Sequence, residues 1–333
     1  MKTPRLLLAA AAALSLIGAA QALPGYHMLR SVTLGGDTFW DAITLDGVHQ
    51  HLFITHGSHV VVVDSRTYAV LGDLSGVTGA HQVAVAPSRG FATSGLSNSV
   101  VVFDPASLKV TGTIAVGTRP DGVLYDPFTH RVFTFNAGSK DATVIDVASG
   151  TVDGTIPLGG KPEFAVTDGA GHVYDNIEDT AELVQIDPKK MEVVQRWPLA
   201  PCVSPSGLAI DKARARLFVA CENEMMAVVD ARTGKVLTTI PTGKGADGAA
   251  YDPVTRNVFI PNGEGIMTVI QQSNGDRYRV LQRLSTQFGA RTIEIDPATH
   301  RIFTVTADLT PDPGKRPPYK MTPGSFRLLI YGK

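Results

Sequence analysis

The chain has 333 residues, of which 44% are hydrophobic and 18% charged, with 33 glycines and 21 prolines. This composition is typical of a globular protein that is rich in turns. The formal net charge is −1 and no run of basic residues occurs, so electrostatics favours neither nucleic acid nor an anionic membrane surface as a partner.

The N-terminal segment differs from the rest of the chain. A short basic start precedes an apolar stretch from Leu6 to Ile17, and Ala-Gln-Ala at 20–22 has the small-x-small form that signal peptidase cuts. The stretch is shorter than the ~18 residues expected of a membrane span. We predict a Sec signal peptide over 1–22, followed by one domain over 23–333 that is periplasmic or secreted. The alternative is an uncleaved anchor, which also places the domain outside the cytoplasm.

Short apolar runs separated by turn residues fill the remainder. Between Gly117 and Gly160, four runs are separated by Asp126-Pro127, Gly138-Ser139 and Ser149-Gly150, which predicts four antiparallel strands. A four-stranded sheet cannot bury both faces alone and needs copies of itself. Equivalent turns stand at Asp46, Ala86-Pro87, Asp126-Pro127, Asp168, Asp211, Asp252-Pro253 and Asp296-Pro297. Seven units at this period predict an all-β fold, a seven-bladed β-propeller.

The count of strands predicts how the ring closes. The seventh unit lacks a fourth strand, and an unattached copy from Met28 to Gly36 precedes the first unit. We predict that this N-terminal strand completes the last blade, which removes an open sheet edge.

The repeats resemble a known family. RPDGVLYDPFTHRVFTFN, PSGLAIDKARARLFVAC and TGKVLTTIPTG are similar to the YVTN-repeat, or YncE-like, propellers of exported bacterial proteins, and the resemblance runs from Met28 to Lys333. The literal YVTN tetrapeptide is absent. The resemblance implies binding of a ligand or partner and defines no chemistry. Single-stranded DNA binding is known for a member, but this chain has no stripe of aromatic and basic residues to support it.

Propeller geometry predicts one residue per blade at the channel mouth, five positions before each turn anchor. Four of the seven are carboxylates, which repel one another at a narrow mouth unless a cation or a proton offsets them. We therefore predict a ligand-binding mouth, with Asp121, Glu163 and Asp247 as candidate ligands of Ca²⁺ or Mg²⁺. The alternative is a water-filled channel with Arg291 as internal counterion. The seven residues are Asp41, His81, Asp121, Glu163, Ser206, Asp247 and Arg291.

Ends of second strands are predicted on the same face and contribute His56, Asn136, Asn262, Glu178 and Glu264. Glu178 belongs to DNIEDT, which resembles a calcium loop but lacks the central Gly and final bidentate Glu of an EF-hand, so an acidic connecting loop is the alternative.

One insertion interrupts the last blade between its second and third strands. Asp308–Gly324 is proline-rich and basic, and includes Lys315, Arg316, Tyr319 and Lys320. It is predicted to be either a lid over the mouth or a surface loop.

The two cysteines, Cys202 and Cys221, flank a predicted hairpin and meet at one end of it, which favours a disulfide in an oxidising compartment over a metal pair or a reactive thiol. Histidines at 49, 51, 56 and 59 cluster in the first blade, and we expect exposed side chains there and no zinc site.

No GxSxG, HExxH, CxxCH or Walker motif occurs, so an enzymatic role is not favoured. We expect a monomeric exported binding module that holds a small molecule, a metal ion or a partner segment. The competing hypothesis is a metal-dependent hydrolase or lactonase, in which Glu163, Asp121, Asp247 and Asn262 hold one ion in the axial cavity.

Overall fold

A computed structural model describes residues 25–314 and 318–333. The predicted signal peptide and two insertion residues, Lys315 and Arg316, lie outside the described residues. Seven four-stranded antiparallel sheets form the fold, which confirms the predicted all-β, seven-bladed propeller.

The strands follow the repeat blade by blade. β1 (His27–Thr33) precedes the first blade, which contains β2 (Trp40–Asp46), β3 (His51–His56), β4 (His59–Asp64) and β5 (Val70–Leu74). The second blade contains β6 (Ala80–Val85), β7 (Gly90–Ser94), β8 (Ser99–Phe103) and β9 (Val110–Ala115). The third contains β10 (Pro120–Asp126), β11 (Arg131–Asn136), β12 (Asp141–Asp146) and β13 (Val152–Pro157).

The fourth blade contains β14 (Pro162–Thr167), β15 (Val173–Ile177), β16 (Glu182–Asp187) and β17 (Glu192–Pro198), with a 3₁₀ helix at Glu178–Thr180. The fifth contains β18 (Pro205–Asp211), β19 (Arg216–Cys221), β20 (Met225–Asp230) and β21 (Val236–Pro241). The sixth contains β22 (Ala250–Asp252), β23 (Asn257–Asn262), β24 (Ile266–Ser273) and β25 (Arg277–Ser285).

The seventh blade closes the ring. Its strands are β26 (Glu294–Asp296), β27 (Arg301–Thr306), β30 (Arg327–Gly332) and, from the start of the chain, β1. β1 runs antiparallel to β30, with His27 opposite Gly332 and Thr33 opposite Arg327. The predicted closure by an N-terminal strand is therefore confirmed.

The turn residues that define the repeat act through their side chains. Asp126 accepts hydrogen bonds from the backbone N–H of Thr129 at 3.0 Å and from its hydroxyl at 2.7 Å. The next residue, His130, has φ of 55°, a left-handed conformation that lets the chain enter the second strand. An Asp at this position thus fixes the hairpin between first and second strands.

The core lies between the blades. Seven apolar clusters occur in the described chain, one at each blade interface. Second and third strands are buried on both faces, as in the VVVV run of β4, because each blade is covered by its two neighbours. Fourth strands are largely exposed, and β9 is an example.

Candidate functional site

The predicted channel-mouth residues converge at one end of the channel. A cavity of about 180 Å³ is lined by Asp41, His81, Asp121, Glu163, Asp247 and Arg291. The seventh residue, Ser206, donates its hydroxyl to Asp247 Oδ1 at 2.7 Å. We call these seven residues the mouth ring.

The first strands of blades one to five carry a local irregularity that positions their ring side chains. Pairing with the second strand shifts after Trp40, Ala80, Pro120, Pro162 and Pro205, the residue immediately before each ring position. A bulge at a strand end redirects the side chain that it carries. The blade repeat thereby places one side chain per blade at the mouth.

His81 lies between two carboxylates of the mouth ring. Its Nδ1 is 2.7 Å from Asp41 Oδ2 and 3.0 Å from Asp121 Oδ1. Burial by itself lowers the pKa of His81, but the bonds to Asp121 and Asp41 outweigh it and raise this pKa to about 10. Burial raises the pKa of Asp41 to about 6, against the opposing bond from His81. The imidazolium therefore offsets the charge on this side of the ring.

Glu163 has a different internal cation. Lys161 Nζ lies 2.6 Å from Glu163 Oε1 and also bonds Glu178. Burial, followed by the charge of Asp121, raises the pKa of Glu163 to about 8 despite this lysine. Sequence reasoning missed Lys161, although its position two residues before a ring carboxylate, in GGKPEF, was a usable signal.

Asp247 pairs with Arg291, whose Nε lies 2.9 Å from Asp247 Oδ2. Arg291 is thus a counterion inside the mouth, as predicted in the alternative of a salt-bridged channel. His81 and Lys161 also act as counterions there. The Arg291 side chain is 48% exposed, and a bond through Nε leaves its terminal nitrogens for other partners.

A metal-ligating geometry occurs in the ring, but with another set of residues than the one predicted. Among the described residues, ligand atoms within 4.8 Å of one another are offered by Asp41, His81 and Asp121. Glu163 and Asp247 are not part of that group. An ion there would have to displace the proton that His81 shares with both carboxylates, because a metal binds the neutral imidazole.

A larger cavity opens above the ring. It has a volume of about 660 Å³, and we call it the vestibule. Asp41, His81 and Arg291 are common to the vestibule and the smaller cavity. Lys244 and Glu264 also line it. Its apolar wall consists of Phe39, Trp40, Phe288, Leu309 and Tyr319.

The insertion forms part of that wall. It contains a two-stranded hairpin, β28 (Leu309–Pro311) and β29 (Tyr319–Met321). The Tyr319 ring packs edge-on against Phe288 with centroids 5.0 Å apart. Arg327 bonds Asp308 at 2.6 Å at the base of the insertion. The described part of the insertion therefore borders the mouth, whereas Lys320 is exposed.

Other predicted residues have structural contacts. Asn136 donates to Asp141 Oδ1 at 2.7 Å, and Asn262 donates to the Gly243 carbonyl at 3.1 Å. Both are fully buried and line neither mouth cavity. Asn262 is thus not among the residues that the ring brings together.

DNIEDT does not form one loop. Asp175 and Asn176 lie in β15 and are fully buried, and the 3₁₀ helix begins at Glu178. Asp179 bonds Lys140 Nζ at 2.6 Å, so the acidic end of the segment is neutralised by lysines. The resemblance to a calcium loop was wrong, because half of the segment is a core strand.

The expectation of exposed histidines was wrong for His56, which is 1% exposed. Its ring stacks on Phe326 with centroids 4.2 Å apart. Burial, followed by the charge of His59, lowers the pKa of His56 to about 4. His49 meanwhile bonds Asp46 at 2.6 Å at the opposite end of β3.

Cys202 and Cys221 form a disulfide, as expected from the hairpin between them. Within the described residues, no helix is long and apolar enough to cross a membrane.

Polar side chains on second strands donate hydrogen bonds to the backbone of mouth-ring residues in the next blade, a link that the sequence did not reveal. Thr55 donates to the His81 carbonyl at 3.0 Å, and Thr93 to the Asp121 carbonyl at 3.2 Å. Asn176 donates to the Ser206 carbonyl at 2.9 Å. A polar residue recurs just before the end of the second strand, and this pattern could have predicted the links between blades.

Comparison with known proteins supports the fold. A solved structure of hydrazine synthase from Kuenenia stuttgartiensis matches with a TM-score of 0.69 and 18% identity, covering 82% of this chain and 93% of that chain. At this identity the match shows the shared propeller fold alone. No family model matches the sequence, and no curated protein matches it.

Proposed function

We propose that this chain is an exported, YncE-like binding protein that holds a small organic anion with an apolar body at the channel mouth. The observation that carries the proposal is the vestibule, a largely apolar cavity of about 660 Å³ that is also lined by Asp41, His81 and Arg291 of the mouth ring. Concave apolar sites with a few convergent polar groups are typical of small-molecule binding.

The charge of the ligand follows from which ring groups are already paired. Asp41 and Asp121 bond His81, Glu163 bonds Lys161, and these carboxylates need no external cation. Arg291 is paired with Asp247 through Nε, but its side chain is 48% exposed and lines the vestibule, so the rest of the guanidinium is placed to bind a carboxylate. The apolar wall covers the remainder of the ligand.

Export is part of the proposal and rests on the N-terminal segment of the sequence and on the disulfide, since disulfides persist in oxidising compartments. The YVTN-repeat resemblance agrees with both.

A matched pair of ligands tests the proposal. Phenylacetate and phenethylamine share an aromatic body and carry opposite charges, and Trp40 in the vestibule wall reports occupancy by fluorescence. We expect phenylacetate to bind and Arg291→Gln to weaken it about tenfold, the effect of losing ~1.4 kcal/mol. Arg279→Gln, an exposed arginine on β25, is the control. Glu264 also lines the vestibule, so preferential binding of the amine would refute the assigned charge.

The group of Asp41, His81 and Asp121 favours a metal-dependent hydrolase as a second candidate. Elemental analysis of the purified protein, then turnover of lactones and esters with and without chelator, tests it. Chelator-sensitive turnover that is lost in His81→Asn would support the hydrolase over the binding protein.

A further inference from the structure

The turn that joins the second and third strands of the first blade carries two histidines that face each other. His56 and His59 are register partners at the end of β3 and the start of β4. His56 Nδ1 lies 3.5 Å from His59 Nε2, and His59 Nε2 lies 3.9 Å from Asp73 Oδ1. This cluster is separate from the mouth ring, although Gly57 between the histidines lines the vestibule.

The distance between the two nitrogens fits a shared metal ion better than a hydrogen bond. A protein hydrogen bond to nitrogen has its most common length near ~2.9–3.0 Å, well below 3.5 Å. A zinc ion binds imidazole nitrogen at about 2.0–2.1 Å, so two ligands 3.5 Å apart subtend an angle of roughly 115–120° at the ion. This angle is near that of tetrahedral coordination.

One of the two ligands is held rigidly by its surroundings. The His56 ring is parallel to Phe326, at an interplanar angle of 2°, and is 1% exposed. Gly36 packs directly against the same ring, where a Cβ would clash. A ligand locked by packing loses little entropy on binding, which favours affinity.

The other ligands are free to complete the site. The Asp73 carboxylate reaches His59 but does not lie within 4.8 Å of the His56 ring nitrogens, so it must rotate to join the site. The side chain of His59 is 30% exposed and that of Asp73 is 54% exposed, which leaves room for this rotation. Two imidazoles, one carboxylate and a water molecule make a complete tetrahedral set for a late first-row divalent metal.

We propose that His56, His59 and Asp73 form a binding site for Zn²⁺ or a similar divalent transition metal at the mouth end of the first blade. The site does not depend on the proposed vestibule ligand.

The test is calorimetric titration of the full chain with Zn²⁺ after chelator treatment and dialysis. We expect one equivalent to bind, His59→Asn to reduce affinity at least 100-fold, and Asp73→Asn to reduce it about tenfold. Exposed His27 provides the control, and His27→Asn should leave affinity unchanged. Co²⁺ should give the intense visible absorption of tetrahedral coordination, which His59→Asn abolishes.

His81→Asn separates this site from the mouth ring. Binding that survives His81→Asn and is lost in His59→Asn, with both variants folded by circular dichroism, supports the proposal. Absence of stoichiometric binding to the parent chain, retention of binding by His59→Asn, or loss of binding in His81→Asn would overturn it.

Discussion

Replacing Asp175 by valine should stabilise the protein. Asp175 is fully buried in β15, and neither carboxyl oxygen makes a hydrogen bond of normal geometry among the described residues. Burial, followed by the charge of Glu163, raises its pKa well above the ordinary value, against a weaker opposing interaction with the Glu163 backbone. Its neighbours on the same strand face, Val173 and Ile177, are apolar. Asp175 is therefore a neutral carboxyl group in an apolar interface between the third and fourth blades.

The size of the expected stabilisation follows from the cost of burying the Asp175 carboxyl group. A buried polar group without a partner costs about 1–3 kcal/mol, so removal of the carboxyl should recover about 3 kcal/mol. Each kcal/mol shifts the midpoint of a domain this large by about 2 °C, which predicts an increase of roughly 6 °C for Asp175→Val at pH 7. Valine is also the residue at the equivalent position of the fifth blade, Val219.

The gain should depend on pH in a definite direction. Because the pKa of Asp175 is higher in the folded than in the unfolded state, the folded protein holds its proton more tightly and stability falls as pH rises above the unfolded pKa of about 4. The advantage of Asp175→Val over the parent chain should thus shrink as pH is lowered from 7 to 4.

Calorimetric midpoints of both proteins across this range provide the measurement. Thr134→Val is the matched control, since Thr134 occupies the same position in the third blade and its hydroxyl has partners at 3.4 and 3.5 Å. It should not stabilise. A lower midpoint for Asp175→Val at pH 7, or a difference independent of pH, would refute the reasoning.

Three further perturbations test other parts of the structure. Burial raises the pKa of Glu294 from 4.5 to about 7, against bonds from the Ile295 and Leu45 backbone. The free energy of unfolding should therefore fall as pH rises from 4.5 through 7. Urea unfolding of Glu294→Gln should show a smaller pH dependence, with a difference of at most about 3 kcal/mol. Glu163 acquires charge as pH passes about 8, so phenylacetate affinity should weaken there, and Glu163→Gln should remove that step in the fluorescence titration. Reduction of the disulfide should lower the free energy of unfolding by about 3 kcal/mol, because the cross-link closes a loop of 19 residues. Urea unfolding with dithiothreitol should show a lower midpoint, and an unchanged midpoint would contradict this.

Much of the fold could be predicted because the repeat is defined by residues that are close together in the sequence. Turn aspartates such as Asp126 stand at the first hairpin of six of the seven blades, and the missing fourth strand of the last unit implied closure by the N-terminal copy. The positions of the mouth ring followed from the same spacing, since one position per repeat reaches the axis.

The electrostatics of the mouth could not be predicted so well. Lys161 lies outside the spacing rule, and its contacts with Glu163 and Glu178 depend on the local path of the fourth blade. His56 was expected to be exposed, but Phe326, 270 positions later in the chain, covers it. The repeat predicts that the ring closes, but it does not predict which side chains of the first and last blades then come into contact.

Closure by β1 also determines how the protein responds to force. His27 and Gly332 are adjacent at one end of an antiparallel pair, so tension applied to the two chain ends opens the hydrogen bonds between β1 and β30 one after another. Peeling in this direction needs less force than shearing a whole strand at once. Tyr26 lies just before β1, so its contacts resist first: its backbone N–H and C=O both bond Gln282, and its hydroxyl bonds Asn257. A tether attached after Lys333 would therefore place tension on the pairing of β1 with β30. In a circular permutant opened between two other blades, this pairing would lie within a continuous chain, away from the chain ends.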